Sequence, residues 1–311
     1  MARSTAASAS LNTRSGITIY LRALRWRSWI GWLFFFGLGS TLFAIPPYTV
    51  LPIAISFSIV TGAIFVLNQY FDRKSDILNP QKRHLPVAAG ELSPKQSAVL
   101  FVSLFAIGLL VTAVVDYTLL FLFVTYIGVG IVYSTPPFHF KKRPVIDLLT
   151  VGVGSGILPF LIGMQVSNKL LIDSSLSLIL ICIIPLFLFQ IASHIFQAIG
   201  DYEADKDEKI TTFVVRYGKA KSAKIAVLFS SLSLIIPIIC GVLNFVVTNE
   251  IMYWYLLILL IFLPFTIYLI KLSANPTTKN IESLNSASRR FTPILLLSLY
   301  LSVLVLKVYL T

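Results

Sequence analysis

The chain has 311 residues, 57% hydrophobic and 12% charged, about half the charged share usual in soluble domains. Its mean hydropathy is +0.86, and its formal net charge is +12, from 25 Lys and Arg against 13 Asp and Glu. A soluble globule is excluded because there is too little polar material to cover one, and a disordered chain is excluded because apolar material abounds. The expected fold is all-α: a polytopic membrane protein with nine transmembrane helices, in one domain over residues 1–311. The Ser/Ala-rich residues 1–15 read as a disordered tail.

About 20 apolar residues cross a bilayer core as a helix. The spans fall at 28–45, 48–70, 95–115, 117–134, 146–166, 174–200, 222–247, 251–272 and 291–309. Arg22, Arg25 and Arg27, interleaved with Trp26, Trp29 and Trp32, form an interfacial anchor at the start of the first. Of the 25 Lys and Arg, all but Lys169 and Lys307 lie on one side of this nine-helix arrangement. The positive-inside rule therefore makes the N-terminus and the 2–3, 4–5, 6–7 and 8–9 loops cytoplasmic. The same partition explains the basic excess without nucleic acid, because no basic polar domain is present. Cys182 and Cys240 each sit within an apolar run and read as ordinary thiols.

The acidic residues are few, and most gather in two places. One follows the second span, as Asn68-Gln-Tyr-Phe-Asp72-Arg-Lys-Ser-Asp76; the other follows the sixth, as Asp201-Tyr-Glu-Ala-Asp205. Four-residue steps drift only about 40° around a helix, so Asn68, Asp72 and Asp76 share one face, as do Asp201 and Asp205. His194 and Gln197 continue the second face back into the membrane. One such ladder is readily explained as a set of helix-end charges paired with nearby Lys and Arg. Two ladders with the same step on the same side call for a shared ligand. Magnesium takes oxygen donors octahedrally, commonly one or two carboxylates with water and phosphate oxygens. Two facing ladders suit Mg²⁺ ions held against one diphosphate, which they turn into a leaving group.

At this point the sequence resembles the UbiA superfamily of intramembrane prenyltransferases. The resemblance rests on Asn68-x-x-x-Asp72-x-x-x-Asp76 with the basic stretch and the Pro86-Val-Ala-Ala-Gly90 turn after it. It rests also on Asp201-x-x-x-Asp205 and on Tyr133-Ser-Thr-Pro-Pro137 followed by Lys141. It implies a cavity capped on the cytoplasmic side by acidic loops. There, an isoprenyl diphosphate bound through Mg²⁺ ionises to an allylic cation, which passes to an aromatic or lipid-type hydrophobic acceptor. Asn68, Asp72 and Asp76 would form the first metal and diphosphate site, and Asp201 and Asp205 the second. Arg83, Lys141 and Arg22 would contact the diphosphate, and Tyr133 would stand by the cleaving bond. Gln69, His84-Leu85-Pro86 and Asp205-Lys206-Asp207 depart from common family patterns and leave the acceptor branch unread.

Two other readings compete. An ion-coupled transporter would use the carboxylates as coupling sites, but these lie at the membrane surface, and no paired broken helices occur in corresponding halves. A phosphoribosyl-transferring relative is suggested by Lys82-Arg83-His84 ahead of the Pro86–Gly90 turn. Among single residues, His194 reads as a satisfied packing group, and Asp147 as an ion-pair partner of Lys141–Arg143 or a helix cap.

Overall fold

A computed structural model describes residues 16–41, 47–166, 176–207, 210–248 and 253–276. Among them there is no strand, and five helical stretches are long and apolar enough to cross a membrane. The expected ninth span, 291–309, and the tail 1–15 lie outside the described residues.

The chain enters through a short helix α1 (Gly16–Ala23), a single turn at Trp26–Trp29, and helix α2 (Trp32–Thr41). The continuous span expected from residue 28 is therefore broken at its start. Side chains cause the break. Gln69 Nε2 donates to the Ala23 carbonyl at 2.6 Å and Trp29 Nε1 to the Leu24 carbonyl at 2.7 Å. These are carbonyls that a continuing helix would use itself, and Arg25 between the two helical pieces takes a left-handed φ of 51°.

Helix α3 (Pro47–Leu78) has 32 residues, about 48 Å, enough to cross a core of roughly 30 Å and carry its last turns beyond it. The whole first acidic ladder thus rides on regular helix rather than on a loop. Helices α4 (Pro94–Asp116) and α5 (Leu120–Ser134) both pack on α3. Ser56 meets Gly108 and Thr112, whereas Thr61 meets Tyr126 and Asn68 meets Ser134. Contact numbers fall along α4 and rise along α5, so α4 runs antiparallel to α3 and α5 parallel. Asp116, in extended backbone, makes the reversal and caps the turn at Thr118.

Helix α6 (Pro144–Gln165) contains a π turn at Gly152–Ile157. Helix α7 (Leu176–Asp207) carries the second ladder on its final turns. Helices α8 (Lys219–Thr248) and α9 (Tyr253–Ser273) close the arrangement, α8 packing on both α7 and α9.

The tightest joint is between α2 and the second half of α6. A Cβ at Gly39 would run into the Phe160 carbonyl oxygen, and one at Gly163 into that of Phe36. Two backbones in contact leave no room for side chains, the usual device where apolar driving force between membrane helices is weak. Gly39→Leu or Gly163→Leu should force the helices apart at about 1–3 kcal/mol and lower the melting temperature in detergent. Gly128→Ala, where an added methyl meets nothing within 4 Å, should leave it unchanged.

Candidate active site

The helices surround a cavity of about 1710 Å³. Its walls come from α1, α2, α3, α5, α6, α7 and α9 and from the loops after α3 and α5. One part is aromatic, with Phe34, Phe35, Phe65, Tyr126, Phe189 and Phe262 among its lining. Phe189 and Phe262 stack at 3.8 Å between centroids and 5° between planes. The other part is polar, with Arg22, Asn68, Asp72, Lys82, Lys141 and Asp201 on its surface.

These groups arrive by identifiable routes. The loop after α3 turns at Asn79, whose carbonyl accepts from Lys82 N at 3.0 Å and Arg83 N at 2.8 Å and whose side chain accepts from Gln81 N at 2.9 Å. It ends at Gly90, whose φ of 76° is a conformation that side chains disfavour. A capping box at Ser93 and Gln96 then restarts the chain as α4. This path carries Lys82 to the cavity, where Nζ lies 3.2 Å from Asp201 Oδ2 on α7. The loop after α5 carries Lys141 onto Asp72 of α3 in a direct ion pair with both side chains mostly buried. Arg22 of α1 donates to Glu91 at 2.6 Å and to the His84 carbonyl at 2.8 Å.

The sequence-predicted residues are placed as follows. Asn68, Asp72, Asp201, Lys141, Arg22 and Tyr133 all border the cavity. Asn68 Nδ2 is 3.3 Å from Ser134 Oγ. Tyr133 lies within electrostatic reach of Asp72, Asp201 and Asp147. Asp76 is buried on the same helix face, with Lys82, Arg25 and Lys141 acting on it. Asp205 acts on Lys82 from α7. Asp76, Asp205 and Arg83 are not among the lining residues.

Lys82, which the sequence reading passed over for its neighbour Arg83, is the hub of the two ladders. Burial alone would lower its pKa, but Asp201, Asp76 and Asp205 together outweigh burial and hold the ammonium above its ordinary value. For Lys141 the balance is reversed. Burial outweighs the attraction of Asp72 and Asp76 and holds it below the usual lysine value. Sequence reasoning also missed the pairing of His194 Nε2 with Asp147 Oδ2 at 2.9 Å. The sequence reads Asp147 as a partner of Lys141–Arg143 or a helix cap; it lies in the first turn of α6 but pairs with His194. The two partners are 47 residues apart in the chain, so no local pattern announces them.

Among the described residues no three His, Cys, Asp or Glu side chains are drawn together as a ready-made metal cage. The oxygen donors present are instead carboxylates, one or two to a helix face, held by lysines. That set fits Mg²⁺, which takes few protein carboxylates and completes its shell with water and phosphate oxygens.

The model of the UbiA prenyltransferase family matches residues 20–287. The chain is 27% identical over 216 residues to a lycopene elongase/hydratase of Corynebacterium glutamicum, a match covering 67% of this chain and 66% of that one. It is 29% identical over 180 residues to the digeranylgeranylglyceryl phosphate synthase of Thermococcus sibiricus, covering 57% and 60%. It thus spans somewhat under two thirds of the length of these relatives. In fold it is similar to a UbiA homolog from Archaeoglobus fulgidus bound to GPP and Mg²⁺, with a TM-score of 0.70, 20% identity, and coverage of 89% of this chain and 99% of that one. This all-helical membrane chain belongs to the UbiA prenyltransferase family.

Proposed function

We propose that this protein is a Mg²⁺-dependent prenyltransferase that joins the prenyl group of an isoprenyl diphosphate to a hydrophobic or aromatic acceptor inside the cavity. The observation that carries this reading is that Asp72 of α3 and Asp201 of α7, each held by a lysine, line one cavity together with an aromatic cluster. A ligand that suits both parts has a polyanionic head and an apolar tail. The names of the two relatives, which speak of lycopene and of a diprenylated glyceryl phosphate, support acceptors of the hydrophobic class.

In this reading Asp72 and Asp76 hold metal on one side and Asp201 and Asp205 on the other, with Asn68 alongside. Bound Mg²⁺ supplies charge neutralisation that makes diphosphate a leaving group. Asp72 and Asp201 would hold the metal, and Lys82 and Lys141, now paired with them, would supply charge-assisted hydrogen bonds to the diphosphate oxygens. Burial suits Lys141 to this role, because desolvation makes a second, more complete pairing favourable. Lys82 borders the cavity and is assigned to the diphosphate ahead of Arg83, and Arg22 joins it from α1. Tyr133 stands where its ring can face the allylic cation, an attraction of about 0.5–2 kcal/mol. The nine-span arrangement and the cytoplasmic placement of the N-terminus and polar loops follow from the one-sided distribution of Lys and Arg.

The direct test is turnover by the full chain in detergent. Geranylgeranyl diphosphate is supplied as donor, with lycopene, geranylgeranylglyceryl phosphate or 4-hydroxybenzoate as acceptor. Transfer to one of these should vanish in EDTA and return with Mg²⁺. Asp72→Asn and Asp205→Asn should each reduce it about 100-fold, the scale of removing one group that stabilises transition-state charge. Transfer to none of the three, or undiminished transfer in EDTA, refutes the reading.

Orientation has its own check. Cysteines introduced near Lys169 or Glu250 should react with an impermeant maleimide added outside intact cells, and cysteines near Lys82 or Lys219 should not. The reverse pattern would place the polar end of the cavity on the opposite face of the membrane.

A further inference from the structure

Prenyl transfer leaves a proton to be removed, and nothing in the diphosphate machinery accounts for where it goes. On the α6–α7 wall, two turns deeper along α7 than Asp201, stands a pair that serves no purpose in binding a diphosphate. Asp147, in the first turn of α6, is 2% exposed. Its Oδ2 meets His194 Nε2 at 2.9 Å, and the Tyr133 side chain of α5 hydrogen-bonds the same carboxylate. His194 itself borders the cavity, with Gln190, Ser193 and Gln197 on the same wall.

The position is fixed by α7. His194 precedes Asp201 by seven residues, so it lies on nearly the same helix face and about 10 Å further along the axis. The groups acting on the imidazole are Asp147 from α6 and Asp201 and Asp205 from its own helix. Tyr133 of α5 approaches the pair from the Asp147 side. With Nε2 committed to a carboxylate, the ring tautomer is set, and Nδ1 is left as the basic atom.

We propose that His194, oriented by Asp147, is the base that takes the proton an acceptor loses when the prenyl group is joined to it, an assignment that rests on the prenyl-transfer reading above. The bond between prenyl C1 and the bridging oxygen breaks, and its electron pair leaves with the diphosphate. An electron pair of the acceptor, from a π bond or a hydroxyl oxygen, forms the new bond to C1. The acceptor's C–H or O–H proton passes to His194 Nδ1, and the electrons of that bond stay on the product. Asp147 remains ionised and stabilises the imidazolium, which afterwards gives its proton to water. Asp147 is thus a positioning residue and His194 the catalytic one.

The test uses the full chain in detergent with Mg²⁺ and radiolabelled geranylgeranyl diphosphate, and with the acceptor that the unaltered protein prenylates among the three above. Inorganic diphosphate release, prenylated product, free prenyl alcohol and the dissociation constant of the Mg²⁺–diphosphate donor are measured in parallel. His194→Gln should lower product formation about 100-fold, the lower end of general-base contributions. Its donor affinity should stay within twofold, and free prenyl alcohol should rise as water captures the cation. Asp147→Asn should shift the partition the same way to a smaller extent. His194 faces the cavity, so the His194→Gln variant decides the matter even if Asp147→Asn fails to fold. Product formation within threefold of the unaltered protein, or a parallel loss of donor affinity and product without extra alcohol, overturns the assignment and leaves prenyl transfer standing. Absence of transfer by the unaltered protein removes both.

Discussion

Charge on a chain this apolar must be paired or hydrated, and at the polar part of the cavity it is paired across the fold rather than along one helix. Lys141 reaches Asp72 over 69 residues of sequence, Lys82 reaches Asp201 over 119, and Arg22 reaches Glu91 over 69. These links fasten the loops after α3 and α5 to helices α3 and α7. Burial decides how much each matters. Breaking a buried pair by removing one partner costs about 3–5 kcal/mol, because a desolvated charge is left behind. The Lys219–Glu203 pair between α8 and α7, with its glutamate 69% exposed, belongs to the surface class that contributes about 0–1 kcal/mol. The inward pairs therefore shape the site, and the outer pair decorates it.

The same constraint limits what can enter. A ligand that carries negative charge into this region without a cation would meet Asp72 and Asp201. One that carries only positive charge would meet Lys82, Lys141 and Arg22. A diphosphate with a divalent cation would offer partners to both sets of charges, the metal to the carboxylates and the phosphates to the lysines, so that no buried charge would be left alone. The aromatic part of the cavity sets the complementary condition on the tail, since Phe189 and Phe262 offer stacked apolar faces and no hydrogen-bond acceptors.

Much of this was legible in the sequence because it depends on local periodicity. Eight of the nine hydropathic spans overlap described helices, but the first begins in pieces and the helices of the second and sixth run about two turns past the expected ends, to Leu78 and Asp207. Both carboxylate ladders keep the face that their four-residue step requires. What the sequence does not disclose is side-chain contact at long separation. The break at Arg25 depends on Gln69, 46 residues away from the carbonyl it takes. The choice between Lys82 and Arg83 depends on a turn closed by Asn79. The Asp147–His194 pair joins two helices, and each member alone reads as an ordinary residue of its element. The glycines at 39 and 163 are readable as small residues but not as a matched pair, since their partners are carbonyls on the facing helix.

Helix α7 ties these features into one geometry. It holds Asp201 at the polar part and His194 two turns away on nearly the same face, and regular helix between them admits little change in that spacing. Pro185 lies below both, so any bend it introduces moves the two groups together rather than apart. A rigid spacing of about 10 Å between the diphosphate end and the imidazole is also a condition on the acceptor. Its reacting atom must reach C1 of the prenyl group while the proton it sheds points along the α6–α7 wall. An acceptor that approaches from the α2–α3 side would meet Phe35 and Phe65, or Asn68 and Asp72 nearer the polar part, rather than His194. The wall on which the Asp147–His194 pair stands is thus the side that offers its base to an approaching acceptor.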